Sequence, residues 1–246
     1  MSHCGGRLAS LCFTTWIVYD VQPRLSIVIP IGPGETAWQS LLGDLQTLPA
    51  EVELLLVGVE PAPEALLCAH SGALQGRIRW LRTERGRALQ QNHGAARALG
   101  EWLCFLHADS RLDSQALHAL ATLSQQEPAL YYFDLRFFDG PAALRLNAAG
   151  ANLRSRVLGL PFGDQGLSLP RAAFERLGGF DTHVARAEDH ALVWSARRAG
   201  LKVRPLRARL ATSGRRYAQR GWALTTLRFL ALTLAQVHAF SRRRQT

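Results

Sequence analysis

The sequence predicts an α/β protein: a doubly wound, mostly parallel sheet flanked by helices, with a helical segment at the C-terminus. Three observations carry this. Four short β-rich apolar runs alternate with segments of helical spacing between Leu25 and Leu106. The runs are continuously apolar, as expected of strands covered on both faces. The chain has 246 residues of which 48% are hydrophobic, enough for a sizeable core, so disorder is not the default.

In chain order, Leu25 to Pro30 is β-rich and stopped by proline, with Gly32-Pro33-Gly34 as the following loop. Trp38 to Leu48 has helical apolar spacing. Val52 to Val59 is a second apolar run, bounded by Glu60-Pro61-Ala62-Pro63. Residues 64–73 read as a helix and Ile78 to Leu81 as a third strand. Arg87 to Leu99, rich in Ala, Leu and Gln, reads as a helix, and Trp102 to Leu106 as a fourth strand. Ser114 to Gln126 is a helix with Asp113 or Ser114 as N-cap. Leu130 to Phe138 alternates and is aromatic, a strand whose Asp134 and Arg136 face away from the core. Arg145 to Leu158 is a helix, residues 161–166 a tight polar loop, Leu167 to Leu169 a short strand and Arg171 to Leu177 a helix closed by Gly178-Gly179. Glu188 to Ala199 is a helix ended by Gly200. Lys202 to Leu206 is a short strand. Trp222 to residue 240 is a long apolar-rich helix, interrupted by polar residues and followed by three arginines. It reads as an amphipathic helix packed on the domain or lying at a membrane surface.

The formal charge of +10 is polarised. Thirteen basic residues and no acidic one follow Asp189, which leaves −3 for residues 1–189 once those thirteen are set aside. A basic C-terminal part favours an anionic partner: a nucleotide diphosphate, a phospholipid surface or nucleic acid. The four cysteines (Cys4, Cys12, Cys68, Cys104) lack zinc-ligand spacing and read as reduced thiols of a cytosolic protein. Residues 1–24 read as an N-terminal extension, a frayed tail or a mis-set start rather than a secretion signal. Residues 25–246 form one domain. No run of eighteen apolar residues marks a spanning helix.

The richest segment is Phe105 to Ser110. Its strand ends in His107-Ala108-Asp109, and ligands of α/β proteins sit at the carboxyl ends of strands. Residues two apart on a strand point the same way, so an imidazole and a carboxylate placed there suit a divalent metal holding a phosphate.

The ordered set GRALQQN, FLHADS, GDQG, GGF followed by Glu188-Asp189, and TSGRRYAQRGW resembles the family 2 glycosyltransferases of the GT-A fold. It is most similar to a bacterial subgroup linked to the arsenosugar pathway and to radical-SAM enzymes. The resemblance covers residue 25 to the C-terminus. It implies inverting transfer of a sugar from a nucleotide-sugar donor to an acceptor hydroxyl, assisted by Mn²⁺ or Mg²⁺. Asp109 and His107 would be metal ligands, and Asp109 would also face the donor. Asp189 would be the catalytic base, with Glu188 beside it shaping the pocket. Pro30, Glu35, Glu60, Arg85, Arg87 and Gln91 would line the donor site, with Asn92 a weaker candidate. Arg215 and Arg216 would steady the leaving diphosphate, since arginine forks bind phosphate oxygens bidentately. Asp164, Gln165 and Trp222 would meet the acceptor. That acceptor would be a small molecule or lipid-linked, with the protein in the cytoplasm or at the inner face of the membrane.

One segment departs from the family. The acidic motif after the second strand, which holds the nucleotide base, is replaced by Val57-Gly58-Val59-Glu60-Pro61, with Glu60 as the substitute. This leaves a noncatalytic nucleotide-sugar-binding protein as a second reading. A nucleic-acid binder is a third, disfavoured because no binding motif accompanies the basic tail.

Overall fold

The computed structural model describes residues 21–63, 74, 76–183, 188–227 and 231. Eight strands form one sheet: β1 (Leu25–Ile31), β2 (Val52–Gly58), β3 (Ile78–Arg82), β4 (Trp102–Phe105), β5 (Arg111–Leu112), β6 (Leu130–Phe137), β7 (Leu167–Pro170) and β8 (Val203–Thr212). The helices are α1 (Trp38–Leu45), α2 (Arg87–Ala95), α3 (Ser114–Ala121), α4 (Leu144–Leu158), α5 (Arg171–Arg176), α6 (Glu188–Arg198) and α7 (Arg215–Arg220). Residues 222–227 add a further helical segment.

The strand order is β3-β2-β1-β4-β7-β6-β8-β5. Strands β1, β2, β3 and β4 pair in parallel, as do β6 and β8, while β7 runs antiparallel to both β4 and β6. The sheet is therefore mostly parallel, as the sequence predicts, with β7 reversed at its centre and the short β5 reversed at its edge beside β8. Strand alternation distributes the core between two layers. Ile27, Ile29, Leu54, Leu56, Cys104 and Leu106 pack on one face, and Val28, Leu55, Val57, Leu103 and Phe105 on the other. That two-sided burial is why these strands read as unbroken apolar runs. Burial pushes the Cys104 thiol up to about 12, so it packs as a small hydrophobe.

A polar knot fixes the N-terminal edge of the sheet. Glu53, fully enclosed, accepts from Ser26 Oγ at 2.5 Å and from the backbone N–H groups of Leu99 and Gly100, with Arg79 Nη1 at 3.6 Å from its second oxygen. The carboxylate thereby ties β1, β2, β3 and the entry to β4 together.

Several boundaries differ from the expectation. The first strand begins at Leu25 as expected, with Arg24 just before it hydrogen-bonded to both neighbours: its N–H donates to Glu51 O and its carbonyl accepts from Trp102 N. The last strand is longer than the expected Lys202 to Leu206, because Ala208 and Leu210 turn inward between outward Arg207 and Arg209. Asp134 is buried rather than outward, held by Arg156 Nη2 at 2.5 Å from the neighbouring helix. Arg215 to Arg220, where the sequence predicts no helix, is helical. The helix expected over 64–73 lies outside the described residues. Of the expected C-terminal helix only residues 222–227 and 231 are described, and these are helical. Among the described residues no helix is long and apolar enough to cross a membrane.

The topology sets the site. Strands β1, β2, β4, β6 and β8 share one direction, so their carboxyl ends line one edge. Because β7 runs the other way, with Leu167 opposite Phe105, the loop before it arrives at that same edge. The His107 to Asp109 segment, the Gly163 to Gly166 loop and the residues after Thr212 therefore converge, although more than a hundred positions separate the first from the last.

Candidate active site

Asp189, at the start of α6, is the best-fixed carboxylate of this edge. Its Oδ2 accepts from Gly163 N at 2.6 Å and its Oδ1 from its neighbour His190 N at 2.9 Å. Burial alone would raise its pKa. The neighbouring His190 and Arg87 and these two backbone donors outweigh burial and hold the carboxyl below its ordinary range. Gly163 is required by space: a Cβ there would stand 3.0 Å from Asp189 Oδ2 and 3.3 Å from His107 Nε2. At Gly166 the backbone itself demands glycine, with φ +62° and Leu106, Phe133 and Leu210 packed close around it.

Glu188, buried at 4% exposure, forms an ion pair with Arg87 Nε at the start of α2. The pair joins two segments that the sequence places a hundred residues apart.

His107 is enclosed beside Gly163 and Asp189. Burial, reinforced by Arg87 and Arg216, pushes its pKa down to about 3 against the opposing pull of Asp189, so the ring is neutral. Its Nε2 has no hydrogen-bond partner. Asp164 Oδ1 is likewise enclosed and unpartnered. Burial and the Asp189 and Asp109 charges raise the Asp164 carboxyl to about 6 against the pull of Arg154 and Arg87. Two polar atoms without partners in one pocket point to groups that a ligand satisfies.

Asp109 faces a different neighbour. Arg215 Nη2 lies 2.5 Å from Glu35 Oε2 and 3.7 Å from Asp109 Oδ2. Burial raises Asp109, partly offset by Arg215 and Arg216. Glu35 is held low in spite of burial by Arg215 and by the N–H groups of Thr36 and Ala37. Two acids thus share one guanidinium. His107 lies beside Asp189 and Asp109 beside Arg215, and both feel the charge of Arg216.

The remaining expected residues divide. Gln165 is fully enclosed, its Oε1 accepting from Ser155 Oγ at 2.7 Å and Phe162 N at 3.1 Å and its amide nitrogen donating to Phe133 O at 3.1 Å. It shapes the loop and has no face toward an acceptor. Gln91 is buried in α2 with Oε1 unpartnered, and Asn92 clamps the Phe180 backbone through both its oxygen and its nitrogen. Trp222 donates from Nε1 to Asn147 Oδ1 at 2.7 Å. Pro30 pairs opposite Val57 within β1, which continues one residue further to Ile31 than the sequence predicts. Arg85 and Glu60 are exposed. Trp80 packs its ring on Gly58 and donates to Glu60 O, so an indole covers the end of β2.

Two participants were missed. Arg154 of α4 reaches the loop, its guanidinium 3.4 Å above the Phe162 ring and near Asp164. His190 packs against Phe162 with the rings tilted by 58° and their centroids 3.7 Å apart. Neither spacing nor composition marks them, because an arginine on a helix reads as surface until the loop beneath it is placed. Open clefts of about 730 and 710 Å³ lie elsewhere and include no residue of this cluster.

Among the described residues no three His, Cys, Asp or Glu side chains gather as a metal cage. The donor set still fits a divalent cation of the kind that takes one or two carboxylates from protein and the rest of its shell from phosphate and water. Asp109 would be that carboxylate, with Glu35 across Arg215.

Residues 62–156 match the family model described as Glycosyl transferase family 2. No curated protein matches the chain by sequence. Among solved structures, the chain is similar to a TarS fragment (residues 1–349) from S. aureus: 16% identity, TM-score 0.60, covering 77% of this chain and 60% of that one. It is also similar to the mannosyltransferase PcManGT from Pyrobaculum calidifontis, solved with GDP-Man and Mn²⁺: 19% identity, TM-score 0.65, covering 91% of this chain and 65% of that one. A TarS fragment solved with UDP-GlcNAc aligns at 17% identity and TM-score 0.59, covering 77% of this chain and 58% of that one. The chain thus spans under two thirds of the length of these relatives. None of these matches distinguishes the arsenosugar-linked subgroup. The shared architecture is the GT-A fold, and together with the family-model match over 62–156 it supports a glycosyltransferase.

Proposed function

We propose that the protein transfers a glycosyl group from a nucleotide-sugar donor to an acceptor hydroxyl, with inversion, and that Asp189 is the base. The observation that carries this is a carboxylate fixed by two backbone donors and kept ionised, beside two enclosed polar atoms that lack partners. In one displacement the acceptor oxygen attacks the anomeric carbon and the bond from that carbon to the diphosphate oxygen breaks. The acceptor proton passes to Asp189. A carboxylate of low pKa suffices because the hydroxyl becomes acidic only as its oxygen bonds to carbon. The leaving diphosphate takes the electron pair, and Arg215 and Arg216 meet its charge.

A Mn²⁺ or Mg²⁺ ion held by Asp109 would supply positive charge to the diphosphate oxygens. His107, neutral and unpartnered, either adds a ligand to that ion or hydrogen-bonds the substrate. Glu188 holds Arg87 toward the donor. Pro30, Glu35, Glu60, Arg85 and Gln91 border the donor side, where Trp80 replaces the usual acidic contact to the base. Asp164, with Arg154 and Trp222 nearby, receives the acceptor, a small molecule or a lipid-linked hydroxyl. Two neighbours were solved with GDP-Man and with UDP-GlcNAc, which supports a donor of this class.

The covered end of β2 favours a second reading, a noncatalytic protein that binds nucleotide sugars. Calorimetry with UDP, GDP, ADP, CDP and dTDP, in Mn²⁺ and in EDTA, followed by turnover of the matching nucleotide sugars, separates the two. Asp189→Asn should lower transfer by roughly a thousandfold or more, as loss of the base removes its contribution of 10²–10⁴, and leave donor affinity within about twofold. Unchanged turnover in that variant removes Asp189 from the mechanism. Nucleotide binding without turnover in the wild type establishes the second reading.

A further inference from the structure

We propose that the face formed by α4 and residues 222–227 docks on an anionic lipid bilayer. Leu146, Leu153, Val157, Leu158, Leu224 and Leu227 are each between 51% and 69% exposed. At roughly 100° per residue, Leu146, Ala149, Gly150, Leu153 and Val157 fall in one stripe along α4. The opposite side of the helix, Leu144 and Ser155, is buried. The second segment is joined to the first at Asn147, which accepts from Trp222 Nε1 and donates to Thr226 Oγ1 at 3.0 Å. Together they present one apolar surface, and contiguous exposed patches of this kind mark interaction sites.

Charge decides the occupant. Arg145 and Arg156 flank the stripe on one side. Neither α4 nor any position after Asp189 carries an acidic residue, and residues 228–246 add four arginines. A second copy on the same face would set these cations against their own symmetry mates. Arg156 is paired with the largely buried Asp134, while Arg145 and the four arginines beyond residue 227 have no acidic neighbour in sequence on this segment, and such a basic border around an apolar surface matches acyl chains below anionic headgroups. Arg154 lies on the same helix, turned away from the stripe and into the candidate site. Docking would therefore bring the acceptor side of the site to the membrane and favour a lipid-linked acceptor. That last step rests on the transfer reading; the docking does not.

The test is co-sedimentation of the full chain with phosphatidylcholine vesicles, with and without phosphatidylglycerol. The wild type should partition onto the anionic vesicles. The triple variant Leu146→Glu, Leu153→Glu and Val157→Glu should partition roughly tenfold less or worse, as should the wild type in high salt, because binding scales with apolar area and lipid charge. The variant should keep the wild-type melting temperature and nucleotide affinity, neither of which uses these side chains. Equal partitioning of wild type and variant overturns the proposal. So does a wild-type dimer in analytical ultracentrifugation that the variant breaks, which would assign the face to a second copy. A variant that melts well below a wild type that ignores vesicles also overturns it, because residues 228–246 would then cover the face. Loss of vesicle binding with nucleotide binding intact, or the reverse, separates failure of the docking from failure of the transfer reading.

Discussion

Asp164→Asn should stabilise the protein at neutral pH while impairing transfer. The Asp164 carboxyl rises from 3.8 to about 6 because burial and the neighbouring Asp189 and Asp109 charges oppose ionisation. A shift of about two units corresponds to about 3 kcal/mol between protonation states. The side chain is not wholly shut off from water, so we halve this to about 1.5 kcal/mol for solvent screening. Between pH 3.8 and 6 the folded state holds a proton that the unfolded chain has released. Stability therefore falls as pH rises through that window, and the full penalty applies above it. The neutral amide carries no such penalty. Near pH 7.5 its melting temperature should rise by about 3–6 °C, at about 2–4 °C per kcal/mol for a chain of this size. At pH 4.5 the gain should shrink to about a third, since the folded carboxyl is then protonated and the pH stands only a little above the unfolded value of 3.8, so little of the penalty has built up. His107 and His190, kept neutral by burial down to about 3 and 4, make stability fall as pH drops below 6.5. They are common to both proteins and cancel in the difference. Calorimetric melting of both proteins at the two pH values measures the effect. An equal rise at both pH values would mean that packing, not charge, is responsible, and a fall at pH 7.5 would refute the electrostatic account of this loop.

Three further outcomes follow from the same geometry. The pH dependence of transfer should stay flat between pH 7.5 and 5 if Asp189 is the base, since its pKa is held below the ordinary carboxylate value, whereas a limb near 6 in kcat/KM would move that role to Asp164. Gly163→Ala should cut turnover by roughly tenfold or more, because its Cβ would press on the Asp189 carboxylate and the His107 ring, and small misplacements of catalytic groups are costly; wild-type rates would show that the loop yields freely. Glu53→Ala should destabilise the fold by about 3 kcal/mol in denaturant melts, since it strands the Leu99 N–H and the Ser26 hydroxyl hydrogen and removes the carboxylate beside Arg79, although Gly100 N–H keeps Ser26 Oγ; a loss below about 0.5 kcal/mol would mean that the knot is dispensable.

The strands of the N-terminal half were legible because burial on both faces writes itself as unbroken apolar runs such as Leu25 to Pro30 and Val52 to Val59. The carboxyl end of β4 was legible for a related reason: the run stops abruptly at His107. The later strands were less so. Val203–Thr212 is dense in arginine, and its inward and outward residues can be told apart only when β6 and α3 lie against it. The helix Arg215–Arg220 carries no apolar periodicity, so nothing local distinguishes it from a loop.

The sequence by itself determined the fold class and pointed to candidate positions for the chemistry, because apolar periodicity and glycine-bounded loops are local signals. Only the tertiary structure decided what those positions do for one another. The reversal of β7 delivers Gly163 to Asp189, and the ion pair of Glu188 with Arg87 closes across the sheet edge. Gln165 turns into the loop it supports, and Arg154 turns out of its helix into the site. These are contacts between residues far apart in the chain. Their geometry is set by strand order and by which side chain finds a partner when water is excluded, and no stretch of sequence carries that information alone.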